Sequence, residues 1–365
     1  DRKVLKPKTI LNLMKKGEFK YYPESFGQLK VKVLHMDLDF DVYDDHARVK
    51  SDLKIKTLEP LKTLELNAKS LELHSLTCKN ELMYKYDQEN DKITLSFKKT
   101  IPKNTTLTIQ TNTTCRPTKN ILEGMYYDET PKGAPPTIIT QCQQWGFQRI
   151  VPCIDDMTAK CTYITKITAD KRYTNIITNG DLKKSSIKGN RKTVTYHNTI
   201  TPMSTYLFFL GCGTYATFKK EVKYPDGKTF TLELLVPPKS DKVRAMRALE
   251  VLHDSVLFVY LFTGPDKYKN QSVAEKIWEL YKNSKPDYKQ IKSLAKNQDW
   301  GYKYTGTVYR EIGMQNSDFG GMENVGNTTI TTNRIMPFAD MSDGSFEYMI
   351  DVKVHEYYHN LNGSE

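Results

Sequence analysis

Between residues 30 and 215 the sequence alternates. In MDLDFDV (36–42), Met36, Leu38, Phe40 and Val42 fall on one side and three aspartates on the other. Successive side chains of a strand point to opposite faces, so this segment reads as a strand with one buried face. KITLSF (92–97), TLTIQT (106–111), YITKIT (163–168) and TVTYH (193–197) repeat the pattern, separated by stretches rich in Asn, Asp, Gly and Lys. A helix turns by 3.6 residues and cannot hold a period of two on one side. The pattern therefore restricts this half to a largely antiparallel β domain of sandwich type. A hairpin with Asp226-Gly227 at its turn follows, and its second strand, FTLELLV (230–236), is expected to alternate again.

At Pro237-Pro238 the period changes. Ala245, Met246, Leu249, Leu252, Val256 and Val259 recur every three or four residues, which predicts a helix over 243–262 stopped by Gly264-Pro265. SVAEKIWELYKN (272–283) opens with Ser272 and Glu275 in capping-box positions. A further short helix around DYKQIKSLAKN (287–297) is expected to pack back on it. GTVYREIG (306–313) and NTTITTNRI (327–335) return to extended structure, and a last helix starts near Ser345.

The longest apolar run is the seven residues VLFVYLF (256–262), far short of the roughly 20 that cross a bilayer. No membrane span is expected, and no signal-peptide core stands near the start. The net charge of +11 is spread over strands, turns and helices without a basic block. That reads as a solvated lysine-rich surface and not as a nucleic-acid face. The six cysteines form no CxxC pair, so reduced thiols and a cytoplasmic location are expected.

The chemistry gathers in HEYYH (355–359). Residues four apart share one helix face, so His355 and His359 can offer nitrogens to one ion. Glu356 is angled to reach a water on that ion as general base, the H-E-x-x-H arrangement of zinc peptidases. The competing reading is a pair of helix histidines that merely pack. Upstream stands Glu323, flanked by Gly320, Gly321, Met322 and Asn324. Glycines allow close backbone approach, and a carboxylate there can hold a cation such as a peptide's free amino terminus. A Gly-Gly turn bearing an exposed glutamate is the alternative.

GGMEN (320–324) ahead of HEYYHN (355–360) resembles the signature of the zinc aminopeptidases of the aminopeptidase N family, the gluzincin exopeptidases. The resemblance extends to TQCQQWGFQRIVPCIDD (140–156), LEGMYY (122–127) and TPMSTYLFFLGCGTY (201–215). It implies a lead-in over 1–29 and a β-rich N-terminal domain over 30–218. The first part of a thermolysin-like catalytic domain would follow over 219–365, and the helical pair at about 265–300, which does not match the family, is expected to be an insertion. It further implies a Zn2+ ion held by His355 and His359, with Glu356 as general base. Glu323 and Gln143 would share the substrate's α-ammonium, and Gln141 would line the first side-chain pocket. Gly320 and Gly321 would align the scissile bond, with Met322 and Asn324 completing the substrate-binding motif. The substrates would be peptides with a free N-terminus.

The family's third zinc ligand is a glutamate nineteen residues beyond the second histidine, and a tyrosine that stabilises the reacting carbonyl lies further on. The chain ends at Glu365. The expectation is therefore a chain with little activity by itself, whose partner is the remaining C-terminal part of the same protein. Two alternatives stay open. One is a zinc endopeptidase with Glu365 as third ligand, although Asn362 stands where such enzymes place glycine. The other is a non-catalytic binding protein that keeps the fold.

Overall fold

The computed structural model describes residues 27–317 and 320–364. Most of the lead-in and Glu365 thus lie outside the described residues. Within them the strands form four sheets, of seven, five, four and three strands.

The alternating segments become strands. Val31–Val42, Ala47–Thr57, Thr106–Cys115, Cys161–Asp170 and Arg191–Met203 are members of the seven-stranded sheet. Met36, Leu38, Phe40 and Val42 are buried as one face. Pairing in this sheet is antiparallel, except that Val31–Val42 runs parallel to Cys161–Asp170. KITLSF lies in Lys92–Ile101, the middle strand of the three-stranded sheet. A single apolar core joins these sheets with the four-stranded one, and the rings of Phe147 and Phe208 meet in it at 5.0 Å.

The five-stranded sheet is mixed. Ala216–Lys223 and Thr229–Val236 form the expected hairpin, with Gly227 at φ +93° in its turn, a backbone that glycine adopts without strain. Thr229–Val236 then runs parallel to Val308–Met314, and that strand parallel to Asn327–Thr331. The two-residue strand Gly321–Met322 pairs antiparallel to Asn327–Thr331 and forms the sheet's edge. The expected alternation of FTLELLV fails, because Leu232 to Val236 are buried throughout. Leu235 joins the β-rich core, whereas Leu232, Leu234 and Val236 join a second core with the helix Lys242–Phe262. Both faces of the strand are covered, as in parallel sheets generally. Glu233 tolerates this position because Arg310 and Lys219 each pair with it at 2.8 Å.

Three helices follow the hairpin, Lys242–Phe262, Gln271–Lys282 and Tyr288–Ala295. The capping box at Ser272 does not form. The helix starts one residue earlier, after Asn270, with no side-chain cap, and Gln271 bonds Glu275 instead at 3.0 Å. Tyr288–Ala295 packs back as expected, with Ile291 fully buried and Tyr288 edge-on to Tyr281 at 6.1 Å. NTTITTNRI is extended only as far as Thr331. There its parallel partner also ends, at Met314, and Thr332–Ile335 becomes a helical turn. The last helix, Asp343–Tyr358, begins two residues before Ser345, capped by Ser342, whose hydroxyl accepts from the Ser345 N–H at 3.3 Å. No helix among the described residues is long and apolar enough to cross a membrane.

Candidate metal centre

The last helix is pinned to the five-stranded sheet on its inner side. Tyr357 is fully buried, edge-on to Tyr309 at 5.3 Å. Lys353, also fully buried, pairs with the buried Glu311 of the Val308–Met314 strand. Burial pushes the Glu311 carboxyl up, against the lowering pull of Lys353. These contacts fix the helix's rotation, which places Glu356 against the edge strand. A Cβ on Gly321 would overlap the Glu356 carboxylate, so the glycine is what admits that side chain.

His355 lies in the helix's last turn and His359 caps its C-terminus, and their Nε2 atoms lie 3.0 Å apart. Nδ1 of His359 is 3.0 Å from the carbonyl oxygen of Asn362. A carbonyl only accepts, so Nδ1 donates and Nε2 carries the lone pair. Two nitrogens ligating one tetrahedral zinc stand about 3.3 Å apart, given Zn–N bonds of about 2.0–2.1 Å. The observed spacing is within a few tenths of that. Glu356 is buried and its Oε2 has no hydrogen-bond partner. Burial, then the charges of Glu323 and Glu311, push its carboxyl up to about 8. One ligand atom each of Glu323, Glu356 and His359 lie within 4.8 Å of one another. A crowded set of two carboxylates and facing imidazoles, with an orphaned buried oxygen, is chemistry that a divalent cation satisfies. The residues present fit zinc.

The structure thus brings together His355, His359, Glu356, Glu323 and Gly321. Gly320 lies beside them, its carbonyl accepting from the Thr331 N–H at 3.2 Å, and a Cβ there would meet Arg334. Met322 is buried in the β-rich core. Asn324 is buried too, its amide donating to the Asn327 carbonyl at 3.2 Å. Gln141 ends the strand Ile138–Gln141, and its Nε2 is buried without a partner. Gln143 is half-buried in the turn that follows. Neither glutamine hydrogen-bonds the histidine and glutamate side chains of the cluster.

Sequence reasoning passed over the residues that join the β-rich half to this centre. The Asn179 amide donates to the carbonyls of Leu207, at 3.0 Å, and Val325, at 2.8 Å. Its Oδ1 accepts from the Phe209 N–H at 2.8 Å. The Asn327 amide returns a bond to the Thr178 carbonyl at 2.9 Å. Tyr206 stands near Glu323, its phenol pushed up by burial and then by that carboxylate. Only the placement of Tyr206 inside TPMSTYLFFLGCGTY could have drawn notice, since single asparagines between strands carry no signal of their own.

Residues 23–207 match the family described as Peptidase M1 N-terminal domain. The chain is 24% identical over 349 residues to the Haemophilus influenzae protein named aminopeptidase N, covering 94% of this chain and 35% of that protein. Aminopeptidase N of Escherichia coli is 23% identical over 304 residues, covering 82% and 29%. Tricorn protease-interacting factor F2 of Thermoplasma acidophilum is 26% identical over 226 residues, covering 62% and 26%. Among solved structures, Legionella pneumophila aminopeptidase A in complex with aspartic acid superposes with a TM-score of 0.73 at 19% identity. That match covers 93% of this chain and 35% of the other, and it shows a shared fold. The chain spans about a third of the length of the relatives it matches.

Proposed function

The chain belongs to the family of the Peptidase M1 N-terminal domain, and from that premise we propose that the whole protein is a zinc aminopeptidase acting on peptides with a free α-amine. Residues 30–218 would be its β-rich N-terminal domain and residues 219–365 the first part of a thermolysin-like catalytic domain. The observation that carries the reading is the facing Nε2 pair of His355 and His359, set beside Glu356 and within reach of Glu323.

His355 and His359 hold the zinc. When bound, that ion polarises the scissile carbonyl and makes water acidic enough to attack near neutral pH. Glu356 accepts the proton of the attacking water and passes it to the leaving amine. Burial, then the charges of Glu323 and Glu311, push the carboxyl up when no ion is bound, so Glu356 is disposed to take a proton. Glu323 holds the substrate's α-ammonium, with Gln143 sharing it. A carboxylate at a fixed distance from the reacting centre presents only the first peptide bond, which makes the enzyme an exopeptidase. The edge strand Gly321–Met322 aligns the substrate backbone as an added strand. Gln141, whose buried Nε2 lacks a partner, lines the pocket for the first side chain.

The test is Glu356→Ala in the whole protein. Zinc content stays at the parent level while kcat falls by about 10²–10⁴. Parent activity that survives exhaustive chelation would overturn the zinc assignment.

A further inference from the structure

Outside the candidate metal centre, one buried carboxylate ties together three segments of the β-rich half. Asp155 and Thr205 are both buried, and Oδ1 of Asp155 accepts the Thr205 hydroxyl at 2.6 Å. Its Oδ2 accepts the Gln148 N–H at 3.1 Å. Its own N–H donates to Oδ1 of Asn67 at 3.1 Å, at the end of the strand Leu61–Asn67. Burial, against the lowering pull of the two accepted bonds, pushes the carboxyl up to about 6. At neutral pH it is therefore ionised and able only to accept. A charge in a core is costly unless such bonds compensate it, so both oxygens are committed.

One of the two accepted bonds leads to Gln143 and the other to Glu323. Gln148 belongs to the short helical turn Phe147–Arg149, which continues directly from the turn bearing Gln143. The Gly146 N–H closes that turn on the Cys142 carbonyl at 2.8 Å, and Nε2 of Gln148 donates to the Trp145 carbonyl at 3.0 Å. Thr205 opens the second helical turn, Thr205–Leu207, whose Tyr206 stands near Glu323. At its other end the Leu207 carbonyl shares the Asn179 amide with the carbonyl of Val325, two residues past Glu323. The Glu323 loop is closed in turn by the Asn327 N–H, which donates to the Asn324 carbonyl at 2.9 Å. An unbroken run of printed-length bonds thus joins the Gln143 turn, Asp155 and the Glu323 loop.

We propose that Asp155 is a positioning residue for recognition of the substrate's α-amine, holding the Gln143 turn and, through Thr205, Leu207 and Asn179, the Glu323 loop in fixed register. What those two segments hold rests on the aminopeptidase reading; the coupling between them rests on the hydrogen bonds alone. A shift of about 1 Å in a substrate-positioning group is enough to cost a large factor in rate or affinity. Asp155 is none of the groups assigned to the reacting centre, so its loss weakens capture of the amine and leaves the chemical step at Glu356 in place.

The test compares Asp155→Ala, Asp155→Asn and Thr205→Val with the parent, each in the whole protein. On an aminoacyl reporter, Asp155→Ala raises KM by about tenfold, the value of one hydrogen bond, while kcat stays within about twofold. Thr205→Val cuts one of the two bonds at nearly constant shape and raises KM by severalfold. Asp155→Asn recovers most of the loss, because its amide accepts from Gln148 and donates to the Thr205 oxygen. Hydrogen exchange read by mass spectrometry follows the coupling without turnover. In Asp155→Ala, peptides covering the Gln143 turn, Thr205–Leu207 and the Asn327 amide exchange faster, while Lys92–Ile101 keeps the parent rate. A parent that does not hydrolyse the reporter sinks the aminopeptidase reading, and the exchange pattern then decides the coupling. The proposal is overturned if exchange accelerates everywhere alike or at none of these sites. It is also overturned if kcat falls while KM stays, or if Asp155→Asn is as impaired as Asp155→Ala.

Discussion

The Nε2 atoms of His355 and His359 face one another at 3.0 Å, while Nδ1 of His359 donates to the Asn362 carbonyl. That donation fixes the tautomer that leaves a lone pair for a metal. Replacing either histidine with alanine removes one of the two nitrogens. The loss of zinc affinity should exceed the roughly 10–100-fold that follows from losing an outer partner of a ligand. Zinc content of the whole protein after dialysis, measured by elemental analysis, checks this.

Glu356 governs how stability depends on pH when zinc is withheld. Burial, then Glu323 and Glu311, raise its carboxyl from 4.5 to about 8. The folded state therefore holds this proton more tightly than the unfolded chain does. The resulting stability is complete below about pH 4.5 and is lost as pH rises through about 8. In chelator, Glu356→Gln should melt a few degrees above the parent beyond pH 8, and the two should converge in acid. Scanning calorimetry across this range reads the crossover, and added zinc should restore the parent at alkaline pH.

The Lys353–Glu311 pair holds the helix Asp343–Tyr358 to the sheet from within the core. Removing one charge strands the other in an apolar setting. Lys353→Met alone should cost about 3–5 kcal/mol, while Lys353→Met with Glu311→Leu should recover most of it. A double-mutant cycle in urea denaturation measures the coupling.

Asn179 ties the Glu323 loop to the β-rich half through Val325, two residues beyond Glu323. Asn179→Ala leaves the buried Leu207 carbonyl and Phe209 N–H without this partner, at about 1–3 kcal/mol each, and leaves the Val325 carbonyl only the longer bond from the Asn327 amide at 3.4 Å. Because the loop that carries Glu323, the proposed amine-binding carboxylate, loosens, KM for an aminoacyl reporter should rise by more than kcat falls. Steady-state kinetics beside a melting curve separates that effect from simple destabilisation.

The alternating strands of the β-rich half were legible because one face of each is less buried than the other. Met36, Leu38, Phe40 and Val42 alternate with aspartates and are buried as expected. FTLELLV was misjudged for the opposite reason. With a core on each side, burial erases the period of two, and a lone Glu233 mimicked a solvent face until Arg310 and Lys219 neutralised it. In the candidate centre, the i, i+4 histidines and the glycines beside Glu323 were readable because their spacing is local. Lys353 with Glu311 was not, since a charged residue carries no mark that its partner lies 42 positions away. The ties made by Asn179 likewise depend on tertiary register, and Gln141 and Gln143 entered only through resemblance.

The central claim is that a carboxylate beside the zinc centre selects a free amino terminus. The direct measurement is turnover of an aminoacyl reporter by the whole protein, set against the same reporter with its α-amine acetylated. The account predicts hydrolysis of the free-amine substrate that is abolished by chelation, and no turnover of the acetylated one. Comparable cleavage of both would contradict it and assign the centre to an endopeptidase.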